Sequence, residues 1–228
     1  MDKIMIEIIP AVMPRDYDDL VDKIGLFSGV APLVQLDIMD GKFVPERTWP
    51  YPRDAHFDAM VTEESEGMPS WETVDVEVDL MIENPELWVS KWVTTGTRRI
   101  IVHVESMRDF EVIRTAVPQG IIELGLAINN ATPITELEKY IDRIDFVQCM
   151  GIDRIGFQGQ PFDERVLDRV RGLRTAFPEL PISIDGSVNK NTAKRLVDAG
   201  ATRLVAGSAI LESGDVHSAM EELKSLVE

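Results

Sequence analysis

The chain has 228 residues, 44% of them hydrophobic, which is enough apolar material to fill the core of one barrel-sized α/β domain spanning 1–228. Forty acidic against twenty-three basic residues leave a formal charge of -17, which repels polyphosphate backbones and anionic lipid surfaces and so argues against nucleic-acid and membrane partners. The longest apolar stretches, 4–13 and 120–128, are broken by Glu7 and Glu123 and fall short of the roughly 20 residues that span a bilayer, and the start of the chain carries no signal or transit pattern, so a cytoplasmic protein is expected.

Apolar, β-branched runs alternate with amphipathic ones along the chain, the rhythm of βα units on a parallel sheet. The spacing predicts strands at 4–11, 33–38, 74–81, 99–104, 121–128, 145–150, 182–185 and 203–206, and helices after them at 16–27, 55–63, 85–94, 110–116, 134–140, 164–176, 190–199 and 215–227. Eight pairs point to a closed (β/α)8 TIM barrel, with a doubly wound open sheet as the alternative. Asn84 before Pro85 reads as an N-cap and Gly200 as a helix stop. The polar run 63–70 reads as a surface loop or, alternatively, a lid, and the long segment 46–78 could form a subunit contact, a lid or neither. Barrels of this size often associate, so a homo-oligomer is an open expectation.

In such a barrel, reactive groups sit at the C-terminal ends of the strands. Side-chain alternation puts Gln35, Asp37 and Met39 on one face of the second strand, Asp79 with Met81 on one face of the third, and Ser183 with Asp185 on one face of the seventh. If these faces point inward, Asp37, Asp79 and Asp185 converge, and three clustered carboxyls must either hold a cation or keep at least one proton. Glycine-bearing loops follow the last three strands: Gly156-Phe157-Gln158-Gly159-Gln160, Asp185-Gly186-Ser187 and Ala206-Gly207-Ser208-Ala209. Glycine allows close backbone approach to a phosphate, and the loops after strands seven and eight are the usual phosphate site of this fold. On so acidic a chain, that site would be built from backbone N–H groups.

Other candidates read more plainly. His103, between Val102 and Val104, is expected to be a hydrogen-bonded core residue, and His56 and His217 to lie on solvated helix faces. Cys149, beside Val147 and Met150, is expected to be a buried thiol. Met39, Met81 and Met150 would pack the top of the barrel, where methionine can also make a soft wall over a substrate carbon. Only eight of the cationic residues are Lys, which fits a salt-adapted host or simply an acidic cytosolic enzyme.

Taken in order, the motifs resemble the ribulose-phosphate 3-epimerase family: 36–45 (Leu36-Asp37-Ile38-Met39-Asp40-Gly41 and onward), 79–85 (Asp79-Leu80-Met81-Ile82), and the three phosphate loops. The resemblance implies an isomerase of carbohydrate metabolism, in the pentose phosphate pathway, that inverts C3 of a ketopentose 5-phosphate. Asp37 and Asp185 would be its acid–base pair, with Gly156, Phe157, Gly159, Gly186, Ser187, Gly207, Ser208, Met39 and Met81 around the phosphosugar. It also implies a divalent metal held by two histidines and two aspartates. Here Gln35 and Asp79 stand where those histidines would be, the segment after the first strand reads Pro10-Ala11-Val12-Met13-Pro14 in place of a serine motif, and 46–78 is longer than usual. The all-oxygen set Gln35, Asp37, Asp79 and Asp185 would suit Mg²⁺ or Mn²⁺ better than zinc or iron. The alternatives are a phosphosugar-binding barrel that has lost its metal and its catalysis, or another enolising isomerase or aldolase. The absence of an Asp-x-Lys-x-x-Asp element at 37–42 argues against the related decarboxylase and hexulose-phosphate synthase branch.

Overall fold

The computed structural model describes residues 5–63, 67–157 and 159–228. Its strands are β1 (Glu7–Val12), β2 (Leu33–Met39), β3 (Asp75–Met81), β4 (Arg99–His103), β5 (Glu123–Ile128), β6 (Phe146–Met150), β7 (Ile182–Asp185) and β8 (Arg203–Ala206). Each pairs in parallel with its sequence neighbours, and β8 closes on β1 with Glu7 opposite Arg203, giving a closed barrel. Helices α1 (Tyr17–Gly25), α2 (Ala55–Glu63), α3 (Val89–Thr94), α4 (Phe110–Ala116), α5 (Thr135–Glu138), α6 (Arg165–Ala176), α7 (Ala193–Ala199), α8 (Ser208–Leu211) and α9 (Val216–Val227) follow the strands. None of the described helices is long and apolar enough to cross a membrane.

Strand alternation sorts the interior. Outward residues such as Leu36, Ile38, Leu80, Val102 and Leu126 join the helices in one continuous core. Inward residues fill the barrel in small groups: Ile9, Ala11, Leu33 and Val205 in one, and Ile101, Ala127 and Phe146 in another. Phe146 reaches across to β5, where Gly125 leaves room for it; a Cβ at 125 would sit 2.4 Å from the ring. Gly125→Ala is therefore expected to destabilise the fold by about 1–3 kcal/mol through overpacking, and Phe146→Leu in the same chain to recover most of the loss, both read from urea midpoints.

Charged groups plug the far end of the barrel. Arg99 contacts Glu7 at 2.9 Å, Glu77 at 3.2 Å and Glu123 at 3.3 Å, and Arg203 contacts Glu123 at 2.8 Å. Burial pushes the Glu77 carboxyl up to about 7 against the pull of Arg99. This network lies at the N-terminal ends of the strands, so the opposite mouth is left for the site.

Several local expectations are corrected. Asn84 does hold the N-cap position before Pro85, but in the left-handed region at φ 54 and without a side-chain cap bond. The residue before proline avoids the right-handed helical region and asparagine tolerates the left-handed one, so Asn84 turns the corner instead. The expected 85–94 helix is accordingly split into a 3-10 turn, Pro85–Leu87, and α3. The 134–140 helix shrinks to the four residues of α5. The 190–199 helix starts only at Ala193, because Asn189 and Thr192 exchange side-chain and backbone hydrogen bonds across the intervening turn. Helix α8 stands where only a loop was expected. Gly200 does end α7, at φ 119. Of the polar run 63–70, residues 64–66 lie outside the described residues.

Within 46–78, the indole of Trp49 is buried against Phe57 and Trp92, with ring centroids 5.6 and 6.0 Å away. That part of the segment anchors to the barrel's own flank. Next to it, Thr48 completes the end of β2: its hydroxyl donates to the Asp37 carbonyl at 2.7 Å and accepts from the Met39 amide at 2.9 Å. The C-terminal end of β2 is thus braced by its own loop.

Candidate active site

The inward faces of β2, β3 and β7 bring Asp37, Asp79 and Asp185 together at the C-terminal mouth, each offering one carboxylate oxygen within 4.8 Å of the others. Gln35, one inward position below Asp37, donates through Nε2 to Asp37 Oδ1 at 2.9 Å and to Asp185 Oδ2 at 3.3 Å. Burial, and then the charges of Asp185 and Asp79, hold the Asp37 carboxyl well above the usual carboxylate range. Burial and the Asp79 charge push Asp185 up to about 7. Close, buried acids of this kind share protons, so the Asp37–Asp185 pair keeps at least one at neutral pH.

Asp79 is held from beneath. Its Oδ1 lies 3.1 Å from His103 Nε2 on β4, and its Oδ2 accepts from Gln148 Nε2 on β6 at 2.8 Å. Burial works against a charge on His103, but Asp79 and Glu105 outweigh it and hold the imidazolium up at about 10. Glu105 is itself anchored by the Asn129 amide at 2.8 Å and the Thr132 hydroxyl at 2.6 Å. His103 is thus the buried, hydrogen-bonded residue expected, and it is also the cation that faces this acidic cluster.

The same residues fit a divalent cation. Gln35 Oε1 is buried with no hydrogen-bond partner among the described residues. Half a turn of the amide exchanges the donor end facing Asp37 and Asp185 for that orphaned acceptor. With the three carboxylates it makes an all-oxygen donor set, the kind that holds hard cations.

One cavity of about 310 Å³ joins this cluster to the glycine loops. Asp37 and Asp185 line one part; Gly156, Phe157, Gly159, Gly186, Ser187, Gly207 and Ser208 line the other, with Met81 and Met150 on the wall. Gln35 and Asp79 lie fully buried, outside that lining. Met39 is not on the wall either: it packs with Met81 and Val44. Gln158 lies outside the described residues. No Lys or Arg is among the described lining residues, and Glu212 is, so an anion here must be met by backbone amides and hydroxyls. The first turn of α8 supplies amides without intrahelical partners at Ser208 and Ala209.

Gly186 and Ser187 turn the loop after β7 through left-handed backbone, at φ 99 and φ 55. A Cβ at Gly186 would lie 2.8 Å from Ile152, so glycine is required there by space as well. Cys149 is fully buried, its thiol pushed up to about 12 by burial.

The model of the ribulose-phosphate 3-epimerase family matches residues 7–211. The chain belongs to that family. Among curated relatives, a ribulose-phosphate 3-epimerase of Aquifex aeolicus is 31% identical, the match covering 96% of this chain and 95% of the relative. One from Bacillus subtilis is 29% identical, covering 96% and 99%. Among solved structures, a KGPDC from Streptococcus mutans superposes with TM-score 0.70 at 10% identity, over 98% of this chain and 97% of that one. A 3-hexulose-6-phosphate synthase gives TM-score 0.68 at 16% identity, over 97% and 100%. These two likenesses show the barrel fold. The family assignment makes the chain epimerase-like, and the absence of the lysine element in β2 agrees with it.

Sequence reasoning missed what binds Asp79. His103 shares its inward face with Arg99 and Ile101, and alternation along β4 gave that signal, but its flanking valines, which point outward, drew the reading toward a hydrogen-bonded core residue with no partner named. Gln148 and Thr48 carried no signal until their partners on other elements were in place.

Proposed function

We propose that the protein inverts C3 of a ketopentose 5-phosphate by proton transfer between Asp37 and Asp185. The observation that carries this reading is that the two raised-pKa aspartates and the phosphate loops line one cavity, so a sugar phosphate anchored at Gly207 and Ser208 would lay its carbon chain toward the acids. One aspartate takes the proton from C3, beside the carbonyl carbon, and the other returns a proton to the opposite face, which inverts the centre. Because the pair keeps a proton at neutral pH, it begins with one member as acid and one as base, and the roles exchange for the reverse reaction. Met81 and Met150 keep water from the reacting carbon. Thr48 holds the Asp37 backbone through its carbonyl, and Gln35 donates to the carboxyl itself while no cation is bound.

A divalent cation held by Gln35, Asp37, Asp79 and Asp185, Mg²⁺ or Mn²⁺ by the hardness of the donors, would supply positive charge beside the enediolate. His103, behind Asp79, keeps that carboxyl oriented whether or not a cation is bound.

The test is NMR detection of C3 proton exchange into D₂O with ribulose 5-phosphate, in chelator and then with Mg²⁺, Mn²⁺ or Zn²⁺ added. Exchange is expected, strongest with Mg²⁺ or Mn²⁺. Phosphosugar binding without exchange under every condition would replace this reading with that of a binding protein.

A further inference from the structure

Ser187 stands out in the phosphate loop because a residue with a side chain occupies left-handed backbone, φ 55, directly after a glycine. Glycine would adopt that conformation without strain, so the serine side chain has a reason to be there. Its hydroxyl donates to the Gln160 carbonyl at 2.5 Å, across to the loop that follows β6. Its own carbonyl is gripped twice, by the Thr192 hydroxyl at 2.7 Å and Asn189 Nδ2 at 3.0 Å. At their bases the two loops are already joined, the Gly151 amide donating to the Asp185 carbonyl at 2.6 Å. Ser187 and Gln160 both line the cavity.

We propose that Ser187 is a positioning residue, whose hydroxyl straps the loop after β6 to the loop after β7 and sets the width of the phosphate end. Its hydroxyl is committed to Gln160, so it serves the anion by holding Gly159 and Gln160 against Gly186 at the cavity wall. The strain at Ser187 is tolerated because Thr192 and Asn189 pin its carbonyl, and the cross-loop bond is what the strained serine provides over glycine. This assignment rests on the phosphosugar reading of the cavity.

Two variants separate hydroxyl from backbone. Ser187→Ala keeps the Cβ and removes the hydroxyl; Ser187→Gly removes the strain as well. Hydrogen exchange of ligand-free protein is measured on peptides spanning Gly159–Asp163, and equilibrium binding is measured with ribulose 5-phosphate and with inorganic phosphate. Both variants are expected to exchange roughly fivefold faster in that segment, the weight of one ordinary hydrogen bond, and to bind both ligands about five- to tenfold more weakly. KM should rise with kcat within about twofold, since the acids are untouched. Unchanged exchange in Ser187→Ala would overturn the strap, and faster exchange with unchanged affinity would overturn its service to the site, as would wild-type protein that binds neither ligand. Binding without turnover in the wild type would sink only the epimerase reading, because both primary readouts are taken without catalysis.

Discussion

Asp185→Asn is expected to lower inversion at C3, read as conversion of ribulose 5-phosphate to its C3 epimer, by about 10³-fold or more while leaving the affinity for ribulose 5-phosphate within a few-fold. The amide keeps the shape of the carboxyl and can still accept from Gln35 Nε2, which lies 3.3 Å from Oδ2. It cannot take or return a proton, and inversion needs both members of the pair. The phosphate end should keep its shape, because Gly207 and Ser208 belong to the next strand's loop and the neighbouring Ser187 is pinned through its own carbonyl by Thr192 and Asn189. Fold stability should rise, since the substitution removes one of three buried carboxyls that repel one another. That sign, read in chelator, separates a chemical defect from a folding one: lost inversion in a variant that melts higher than the wild type can only be assigned to the site. Inversion within tenfold of the wild type would remove Asp185 from the acid–base pair.

Asp37, Asp79 and Asp185 were legible in the sequence because a strand places side chains by parity alone, and each aspartate stands at or near a strand end after an apolar run. The barrel was legible for the same reason, as eight repeats of one βα rhythm need no tertiary information. Parity gives the face but not the depth. Met39 shares the face of Asp37 yet is covered, because Val44 folds over it and Gly156 comes down so closely that a Cβ there would meet Val44 at 2.8 Å. That is a contact between the loops after β2 and β6, far apart in the chain.

Partners were the least legible feature. His103 is judged locally by Val102 and Val104, but its role follows from Asp79, 24 residues earlier on the adjacent strand. Ser187 read as a phosphate ligand because Gly-Ser turns commonly are, whereas its hydroxyl is committed to Gln160, a bond no local pattern announces. Asn84 shows the converse: its place before Pro85 was legible locally, whereas its left-handed backbone and missing side-chain cap bond were not.

Added Mg²⁺ or Mn²⁺ is expected to stabilise the protein far more at pH 8 than at pH 5. In the folded protein Asp37 and Asp185 hold protons that an unfolded aspartate, near 3.8, has lost. Their contribution to stability is therefore complete below about pH 4 and declines as the pH rises toward about 7 for Asp185, a loss on the order of 4 kcal/mol for a shift of that size. A cation has the opposite dependence, because it must displace those protons at low pH and finds fewer of them at high pH. At pH 8 and a hundredfold excess over its Kd it would add about 2.7 kcal/mol, or roughly 5–10 °C in Tm for a chain of this size, and at pH 5 little. Thermal melts of chelated and metal-loaded protein across pH 5–8 measure this directly. Asp185→Asn should flatten both curves, as it removes a proton site and a ligand at once. An equal Tm gain at both ends of the range, or a gain with Zn²⁺ alone, would mean that the oxygen cluster is not where the cation sits, and Asp37 and Asp185 would then work as an acid–base pair without it.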